Sequence, residues 1–290
     1  MVFPEVVDVE FSARCNLKCG FCFGPVDDRT IPDLPTAFWF DTLTSIRAHG
    51  AQGIVVSGGE PTIHPDIVPL LSHAKQLGLS VVMSTHGQIP NRVLACAPFT
   101  DWIAIPIDAV SSEMLKLMRG RIWGVQQARD LVEQLRRVKP SIGIKLGTVA
   151  NAINLNEIPL LARELVESEI RIDTWKIYQY TARRQFKHRA SEFRISEQKF
   201  GALADMVDAV VPNRCFRIVF SSNSSRQRAY LFIYPDGSVG IPNVGPQMDD
   251  IILGNLLSEG TAVLKRVAQI DWNNHVANYR STYSMTNPAT

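Results

Sequence analysis

The sequence predicts an α/β protein with a partial (β/α)6 barrel and a C-terminal extension that contains a β-hairpin. Three observations support this fold class. Six short, apolar, β-branched segments occur in the first 180 residues, and segments with helical periodicity separate them. This alternation indicates βαβ units with parallel strands and right-handed crossovers. Beyond residue 180 the alternation stops, and a Pro-Asp-Gly turn between two short strands predicts the hairpin.

The six strand candidates are nearly continuous apolar runs, as strands covered on both faces require. They are Val6–Phe11, Gly53–Ser57, Ser80–Ser84, Trp102–Ile107, Ile142–Val149 and Thr174–Tyr180. Cap residues and apolar periodicity predict five intervening helices, over Thr36–Ala48, Pro65–Leu77, Ser112–Met118, Val125–Val138 and Asn156–Ser168. The carboxyl ends of parallel barrel strands lie on one side, so we expect the active site there.

The remainder of the chain differs in composition. We expect residues 1–180 to form the barrel core and residues 181–290 to form an extension that covers the substrate side of the barrel. In this extension we predict a helix over Ser196–Val211, with Ser196 as its N-cap, and hairpin strands over Tyr230–Tyr234 and Ser238–Ile241. The polar tail, Asn273–Thr290, is expected to be partly disordered.

Composition and charge favour a soluble cytoplasmic protein. Hydrophobic residues make up 46% of the chain and charged residues 20%, and the net charge of +2 offers no basic surface for polymeric nucleic acid. No apolar run reaches the ~18 residues that span a bilayer. The N-terminus lacks the basic and apolar regions of a secretory signal. We therefore expect neither a membrane nor a nucleic-acid polymer as partner.

Three of the five cysteines, Cys15, Cys19 and Cys22, fall within eight residues just after the first strand. Disulfides between such close residues would constrain little, so metal binding explains the spacing better. Three thiolates can hold three irons of a cubane cluster and leave the fourth iron open. Zinc stays open as an alternative, although no nearby Cys or His supplies the usual fourth ligand. Cys96 and Cys215 lie in apolar contexts and are expected to be buried.

The cysteine spacing, with Phe21 before the third cysteine, resembles the signature of the radical S-adenosylmethionine (SAM) superfamily. The second strand ends in Ser57-Gly58-Gly59-Glu60-Pro61, which resembles the GGEP motif of that superfamily. Gly58, Gly59, Glu60 and Pro61 would then contact SAM: glycines permit close approach of a ligand, and a carboxylate accepts from an ammonium group.

The resemblance implies one [4Fe-4S] cluster on the three cysteines and SAM on the open iron. It further implies reductive cleavage of SAM to a 5′-deoxyadenosyl radical, which abstracts hydrogen from the substrate, and a reducing partner such as flavodoxin or ferredoxin. Further SAM-binding candidates at strand ends are Phe21, Ser84, His86, Asp108 and Arg119. For His86 a turn role is equally open, and for Arg119 a solvated position past a helix end.

The segments from Cys15 to Gly254 resemble, with gaps, the viperin-like nucleotide dehydratases. These enzymes convert nucleoside triphosphates to 3′-deoxy-3′,4′-didehydro products. The resemblance implies phosphate binding by Lys145 and Lys176, and substrate contacts from Asn151 and Tyr230. A lysine at a barrel strand end faces the cavity, where an unpaired cation requires an anion. The alternative for both lysines is pairing with an internal carboxylate such as Asp108 or Asp173.

The match to the viperin-like family is incomplete, because Gly53 and Thr174 occupy positions where that family has basic residues. Replacement charge is available in the loop after strand six, although such a run is also typical of a solvated face; its members are Arg183, Arg184, Lys187, His188 and Arg189. An anionic substrate, with a nucleotide as its expected form, is the leading hypothesis. Two alternatives stay open: epimerisation, dehydration or rearrangement of a peptide or sugar-bearing intermediate, and a non-catalytic zinc scaffold.

Overall fold

The computed structural model describes residues 3–24, 30–244 and 249–283. Its strands are β1 (Val6–Val9), β2 (Gly53–Val56), β3 (Ser80–Ser84), β4 (Trp102–Pro106), β5 (Gly143–Ala150), β6 (Thr174–Gln179), β7 (Arg217–Ser221), β8 (Phe232–Ile233), β9 (Ser238–Ile241) and β10 (Ile251–Asn255). Its helices are α1 (Thr36–Ala48), α2 (Ile67–Gln76), α3 (Pro90–Cys96), α4 (Ser112–Arg119), α5 (Val125–Val138), α6 (Ile158–Glu167), α7 (Ala190–Phe193), α8 (Glu197–Val210), α9 (Leu256–Glu259) and α10 (Trp272–Thr282). All six predicted barrel strands and all five predicted helices between them are present.

The ten strands form one sheet in the order β10-β9-β8-β1-β2-β3-β4-β5-β6-β7. The pairs from β8 through β1 to β7 are parallel, whereas β9 pairs antiparallel with both β8 and β10. The sheet does not close on itself, so the predicted partial barrel is confirmed. The predicted hairpin is also confirmed as β8–β9, and its turn places Gly237 at φ 79°, a conformation that glycine adopts without strain.

Strand β1 divides its side chains between the two faces of the sheet. Val7, Val9 and Phe11 pack in the main hydrophobic core with the helices. The alternate residues Asp8 and Glu10 face the interior of the partial barrel, where they line a cavity. Because successive side chains of a strand point to opposite faces, one strand builds both the core and the cavity wall.

The C-terminal tail differs from expectation in its described part. Residues 272–282 form α10, whose N-terminus is capped by Asp271 accepting a hydrogen bond from Asn274 N at 2.9 Å. The buried side chains of this helix are polar or aromatic, namely His275, Asn278, Tyr279 and Thr282. The described part of the tail is ordered because its polar residues find partners inside the molecule; residues 284–290, on which the expectation of partial disorder also falls, lie outside the described part.

The two cysteines outside the cysteine motif differ in burial. Cys96 is buried in the core as predicted, but Cys215 is exposed, so burial of Cys215 was a wrong prediction. Cys215 precedes the edge strand β7, where the sheet has no further neighbour to cover it.

Among the described residues, no helix has the length and apolar character needed to cross a membrane.

Candidate active site at the carboxyl ends of the strands

Two adjoining cavities open at the carboxyl ends of the strands. The first, which we call the cysteine cavity, has a volume of about 240 Å³ and is lined by Cys15, Cys19 and Cys22. The second, which we call the lysine cavity, has a volume of about 300 Å³ and is lined by Lys145 and Lys176. Cys22 and Lys145 line both cavities, so the two cavities adjoin.

Backbone and side-chain donors surround the cysteine sulfurs. Leu17 N donates to Cys15 Sγ at 3.4 Å, and Gly24 N donates to Cys22 Sγ at 3.2 Å. The Arg119 guanidinium lies 3.8 Å from Cys19 Sγ. Such donors stabilise thiolate ligands of an iron–sulfur cluster. Burial raises the pKa of Cys19 to about 11, so a cation at the sulfur is needed to hold its thiolate at neutral pH.

The arrangement of the three thiols fits a cluster better than a zinc ion. Within residues 3–24, 30–244 and 249–283, no three His, Cys, Asp or Glu side chains converge closely enough to hold one metal ion. A tetrahedral zinc site needs such convergence on a single point. In a cubane cluster each thiolate binds a different iron, so wider separation of the sulfurs is required.

Gly58 and Gly59 line the cysteine cavity, and they also pack against the cysteine loop, a structural role that was not predicted. A Cβ at Gly59 would lie 2.0 Å from Arg14 O, and a Cβ at Gly58 would lie 2.6 Å from Ser12 O. Gly59 N and Glu60 N donate to Ser12 O and Arg14 O at 2.9 and 2.7 Å. The glycines therefore allow the strand end to pack directly against the cysteine loop.

Glu60 is buried and its carboxylate already has protein partners. Oε1 accepts hydrogen bonds from Thr62 N at 3.1 Å and from the Thr62 and Thr85 hydroxyls at 2.6 Å. Oε2 accepts from His86 N at 2.7 Å. A carboxylate has about four lone-pair sites, so only Oε2 keeps acceptor capacity for an ammonium group. Pro61 is buried and lines neither cavity.

Three other SAM-binding candidates, Phe21, Ser84 and His86, line one or both cavities. Ser84 and Phe21 line the lysine cavity, and Ser84 and His86 line the cysteine cavity. His86 Nδ1 accepts from Gln88 N at 2.9 Å, so Nε2 carries the hydrogen and donates to Asn16 Oδ1 at 2.7 Å. Burial lowers the pKa of His86 and keeps the ring neutral. Both ring nitrogens have protein partners, which favours the turn role.

Asp108 and Arg119 form one buried unit. Arg119 Nε donates to Asp108 Oδ2 at 2.5 Å, and Asp108 Oδ1 accepts from Val149 N at 2.9 Å. Arg119 also lies over the Phe21 ring at 5.1 Å and lines the cysteine cavity, whereas Asp108 lines neither cavity. Asp108 thus holds Arg119 in place instead of facing the ligand space.

Neutral oxygens surround the two lysines. Lys145 Nζ donates to the hydroxyls of Tyr178 and Tyr283, each at 2.9 Å. Lys176 Nζ donates to Thr282 Oγ1 at 2.8 Å and to Asn278 O and Oδ1 at 3.3 Å. Burial lowers the pKa of Lys176, and the nearby Lys145 adds to this effect.

The alternative partners proposed for the lysines are engaged elsewhere. Asp108 binds Arg119, and Asp173 pairs with Arg136 at 2.8 Å. No ion pair joins Lys145 or Lys176 to a carboxylate in the part of the chain that the structure describes. Neither carboxylate named for the alternative pairs with these lysines, and both lysines line a cavity.

The remaining substrate candidates separate into two groups. Tyr230 lines the lysine cavity and its hydroxyl donates to Asn278 Oδ1 at 3.3 Å. Asn151 lies in a buried turn after β5, where its amide bonds Val149 O at 3.0 Å, and it lines neither cavity.

The described basic side chains of the loop after β6 do not line the lysine cavity. Arg183 pairs with Asp250 at 2.5 Å and lies 4.1 Å from the Phe23 ring centroid. Lys187 pairs with Asp249, Arg189 with Glu192, and His188 is exposed. None of these four residues lines either cavity, and the side chain of Arg184 lies outside the described part.

Several residues of the lysine cavity have no counterpart among the sequence predictions. Asp8 of β1 accepts a hydrogen bond from the Tyr279 hydroxyl, and burial raises the pKa of Asp8 to about 7. Arg226 donates to Asn223 Oδ1 at 2.7 Å and to Thr181 Oγ1 at 3.0 Å while lining the cavity. The sequence could have indicated that Asp8 faces a cavity, because Asp8 and Glu10 are two acidic residues at strand spacing in an otherwise apolar segment.

Comparison with known proteins identifies the family of this chain. The profile of the Radical SAM superfamily matches residues 9–165, more than half of the 290 residues. A protein from Flammeovirga pacifica named S-adenosylmethionine-dependent nucleotide dehydratase is 26% identical over 233 residues, 77% of each chain. A PqqA peptide cyclase from Methylorubrum extorquens is 28% identical over 166 residues, which are 54% of this chain and 42% of the cyclase.

Among solved structures, Streptococcus suis SuiB bound to S-adenosylmethionine superposes with a TM-score of 0.69 at 17% identity. The superposition covers 95% of this chain and 68% of SuiB, and at this identity it shows a shared fold. The matched segment of the family profile contains the three clustered cysteines and the Gly58-Gly59-Glu60-Pro61 strand end. The chain therefore belongs to the radical SAM superfamily and is a radical SAM enzyme that uses a [4Fe-4S] cluster and SAM.

Proposed function

We propose that this enzyme dehydrates a nucleotide, which binds through its phosphate groups in the lysine cavity. The carrying observation is the pair of buried lysines, Lys145 and Lys176, beside a cavity that continues to Cys22. Their hydrogen-bond partners are neutral oxygens, and against the effect of burial the neighbouring tyrosine oxygens keep the pKa of Lys145 above its usual value, so Lys145 offers positive charge to a phosphate. A bound phosphate would also raise the lowered pKa of Lys176 and favour its charged form. The name of the Flammeovirga relative supports a nucleotide as the anion.

The residues of the cysteine cavity fit the cofactors that the superfamily uses. Cys15, Cys19 and Cys22 would hold the cluster, and the Gly58–Glu60 backbone with Ser84 and Arg119 would hold SAM. When bound, the cluster and SAM supply the radical that removes hydrogen from the substrate. The chain itself orients the substrate through the lysines and separates it from water by the aromatic residues Tyr230 and Tyr283.

The first test measures nucleotide-dependent cleavage of SAM. Anaerobically reconstituted enzyme is incubated with SAM, dithionite and a panel of nucleosides and their mono-, di- and triphosphates. We expect 5′-deoxyadenosine and a dehydrated nucleotide to form with at least one phosphorylated member of the panel. Formation with none of them above the rate without substrate would refute the nucleotide proposal.

Substitution of the lysines tests the phosphate contact. We expect Lys145→Ala and Lys176→Ala each to raise the KM for the nucleotide about tenfold to a hundredfold, because each removes a charge-assisted hydrogen bond. Lys199→Ala, on the exposed face of α8, is the matched control and should leave KM unchanged. Unchanged KM in both cavity variants would contradict phosphate binding there.

Peptide modification is the competing function, since a PqqA peptide cyclase is among the relatives. The sequence has five cysteines, and the two outside the motif lie apart, with Cys96 in the core and Cys215 exposed. No second cysteine group is therefore present to bind an auxiliary cluster in this chain. A precursor peptide that raises 5′-deoxyadenosine formation while nucleotides do not would favour the peptide function.

A further inference from the structure

We infer that Asp8, held by Tyr279, is the proton donor that turns the leaving hydroxyl of the substrate into water, which rests on the dehydratase function proposed above. The inference starts from the position of Asp8. Its side chain is buried on β1 and lines the lysine cavity together with Lys145, Lys176 and Cys22. Asp8 thus shares one cavity with the predicted phosphate ligands and with a cysteine of the loop that follows the same strand.

A dehydration needs an acid at this place. In the described part of the chain, Asp8 and Glu10 are the two carboxyl groups that line the lysine cavity. The hydroxyl of Tyr279 bonds Asp8 Oδ2, which fixes the orientation of the carboxyl group. Tyr279 comes from α10, which also holds Lys176 through Asn278 and Thr282. One helix therefore positions both the acid and a predicted phosphate ligand.

The environment of Asp8 keeps a proton available near neutral pH. Burial raises the pKa of Asp8 to about 7, while the Tyr279 hydrogen bond and three nearby cations act in the opposite direction. The cations are Lys145, Lys176 and Arg183. The other titratable or charged groups that line this cavity are Glu10, Cys22, Arg226 and the phenols of Tyr178, Tyr230, Tyr279 and Tyr283. A phosphate bound at the lysines would offset their charge and so favour the protonated acid further.

Removal of hydrogen leaves a substrate carbon radical next to the carbon that bears the hydroxyl. The carbon–oxygen bond then breaks with both electrons leaving on oxygen, which takes the proton of Asp8 and departs as water. The resulting radical cation accepts one electron from a flavodoxin- or ferredoxin-type reductant and becomes the closed-shell alkene. Asp8 is left as a carboxylate and regains a proton from solvent before the next turnover.

Asp8→Asn separates this step from hydrogen abstraction. The variant is nearly isosteric and cannot donate an acidic proton. We expect nucleotide-dependent 5′-deoxyadenosine to persist while the dehydrated nucleotide falls about a hundredfold or more, the usual range for loss of a general acid. Asp205→Asn, exposed on α8, is the matched control and should keep both products. Circular dichroism and iron content report whether each variant folds and binds its cluster.

Tyr279→Phe keeps the Asp8 carboxyl group. The pH dependence of dehydration in this variant tests the same role of Asp8. Because Asp8 must be protonated, dehydration in the unaltered enzyme should fall as pH rises through about 7. Removing the phenol takes away a hydrogen bond that lowers the pKa of Asp8, so the falling limb should move to higher pH. This readout decides the matter if Asp8→Asn does not fold.

The outcomes distinguish this inference from the proposed function. If the unaltered enzyme dehydrates a nucleotide and Asp8→Asn does so at the same rate, the role of Asp8 is wrong and the dehydratase function stands. An unmoved pH limb in Tyr279→Phe likewise overturns it. If no nucleotide stimulates 5′-deoxyadenosine formation in the unaltered enzyme, the dehydratase function itself is wrong.

Discussion

At the scale of single residues, the glycines after β2 connect the two sequence motifs. Their missing side chains leave room for the backbone of the cysteine loop at Ser12 and Arg14. Gly58 also has φ 109°, which other residues rarely adopt. The cysteine motif and the Gly58-Gly59-Glu60-Pro61 segment therefore form one structural unit. A substitution in the glycine segment should displace the cysteine ligands.

Gly59→Ala tests this unit directly. The added Cβ would lie 2.0 Å from Arg14 O, so the cysteine loop must move. We expect the iron bound after anaerobic reconstitution to fall to less than about half, and the midpoint of unfolding to drop, because backbone clashes cost about 1–3 kcal/mol or more. Both are measured by iron analysis and urea unfolding.

The matched control is Gly201→Ala on α8. Nothing lies within 4 Å of a Cβ at Gly201, so alanine should raise stability by about 0.5–1 kcal/mol through its better helix propensity. Full iron content in Gly59→Ala would show that the loop tolerates the displacement and that the glycines have another role.

At the scale of elements, α10 completes the lysine cavity. Its Asn278 and Thr282 hold Lys176, and Tyr283 just after it holds Lys145. Neutral oxygens satisfy the hydrogen-bonding capacity of the ammonium groups without cancelling their charge. The helix thus holds both buried lysine side chains in place before an anion arrives.

Thr282→Val measures the contribution of this helix. Valine has the shape of threonine but no hydroxyl, so Lys176 loses its shortest hydrogen bond. We expect a loss of about 1–3 kcal/mol in the free energy of unfolding, determined by urea titration. Ser281→Ala, an exposed neighbour in the same helix, should change stability by less than about 0.5 kcal/mol. Equal stability of the two variants would contradict a supporting role for Thr282.

Prediction from sequence succeeded where the signal is local. The barrel strands have short apolar runs, the hairpin has a turn sequence, and the cysteine motif lies within eight residues. It failed for α10, where polar residues are buried by distant partners: Tyr279 and Asp8 are 271 residues apart in sequence. Nothing in the sequence indicated that the Glu60 carboxylate binds Thr62, Thr85 and His86, because these contacts depend on how the neighbouring strand end is placed.

At the scale of the whole molecule, cofactor binding and folding are linked. The cysteine cavity takes residues from β2, β3 and β4 ends as well as the loop after β1. A ligand that fills this cavity contacts elements from across the parallel sheet. Anything that binds only the folded state stabilises the whole chain by mass action.

SAM should therefore stabilise the reconstituted enzyme. At a concentration 100 times its Kd, we expect a gain of about 2.7 kcal/mol in the free energy of unfolding. Anaerobic urea unfolding with and without SAM measures the effect. Cys19→Ser should lose most of this gain because it lacks one cluster ligand, while Cys96→Ser probes a cysteine outside the cavities as the comparison. An equal gain in Cys19→Ser would show that SAM binds independently of the cluster.

The alternation of side chains along β1 limits the sequence changes that this enzyme can accept during evolution. Its inward residues Asp8 and Glu10 and its outward residues Val7 and Val9 alternate, and the same strand leads into the cysteine loop. Inserting or deleting one residue before β1 only lengthens or shortens its approach. Inserting or deleting one residue inside β1 would exchange the two faces of the strand and place carboxyl groups in the hydrophobic core. The same change would also displace the cysteine loop. Variation in length is thus excluded from this strand, and substrate preference can be altered there only by exchanging side chains.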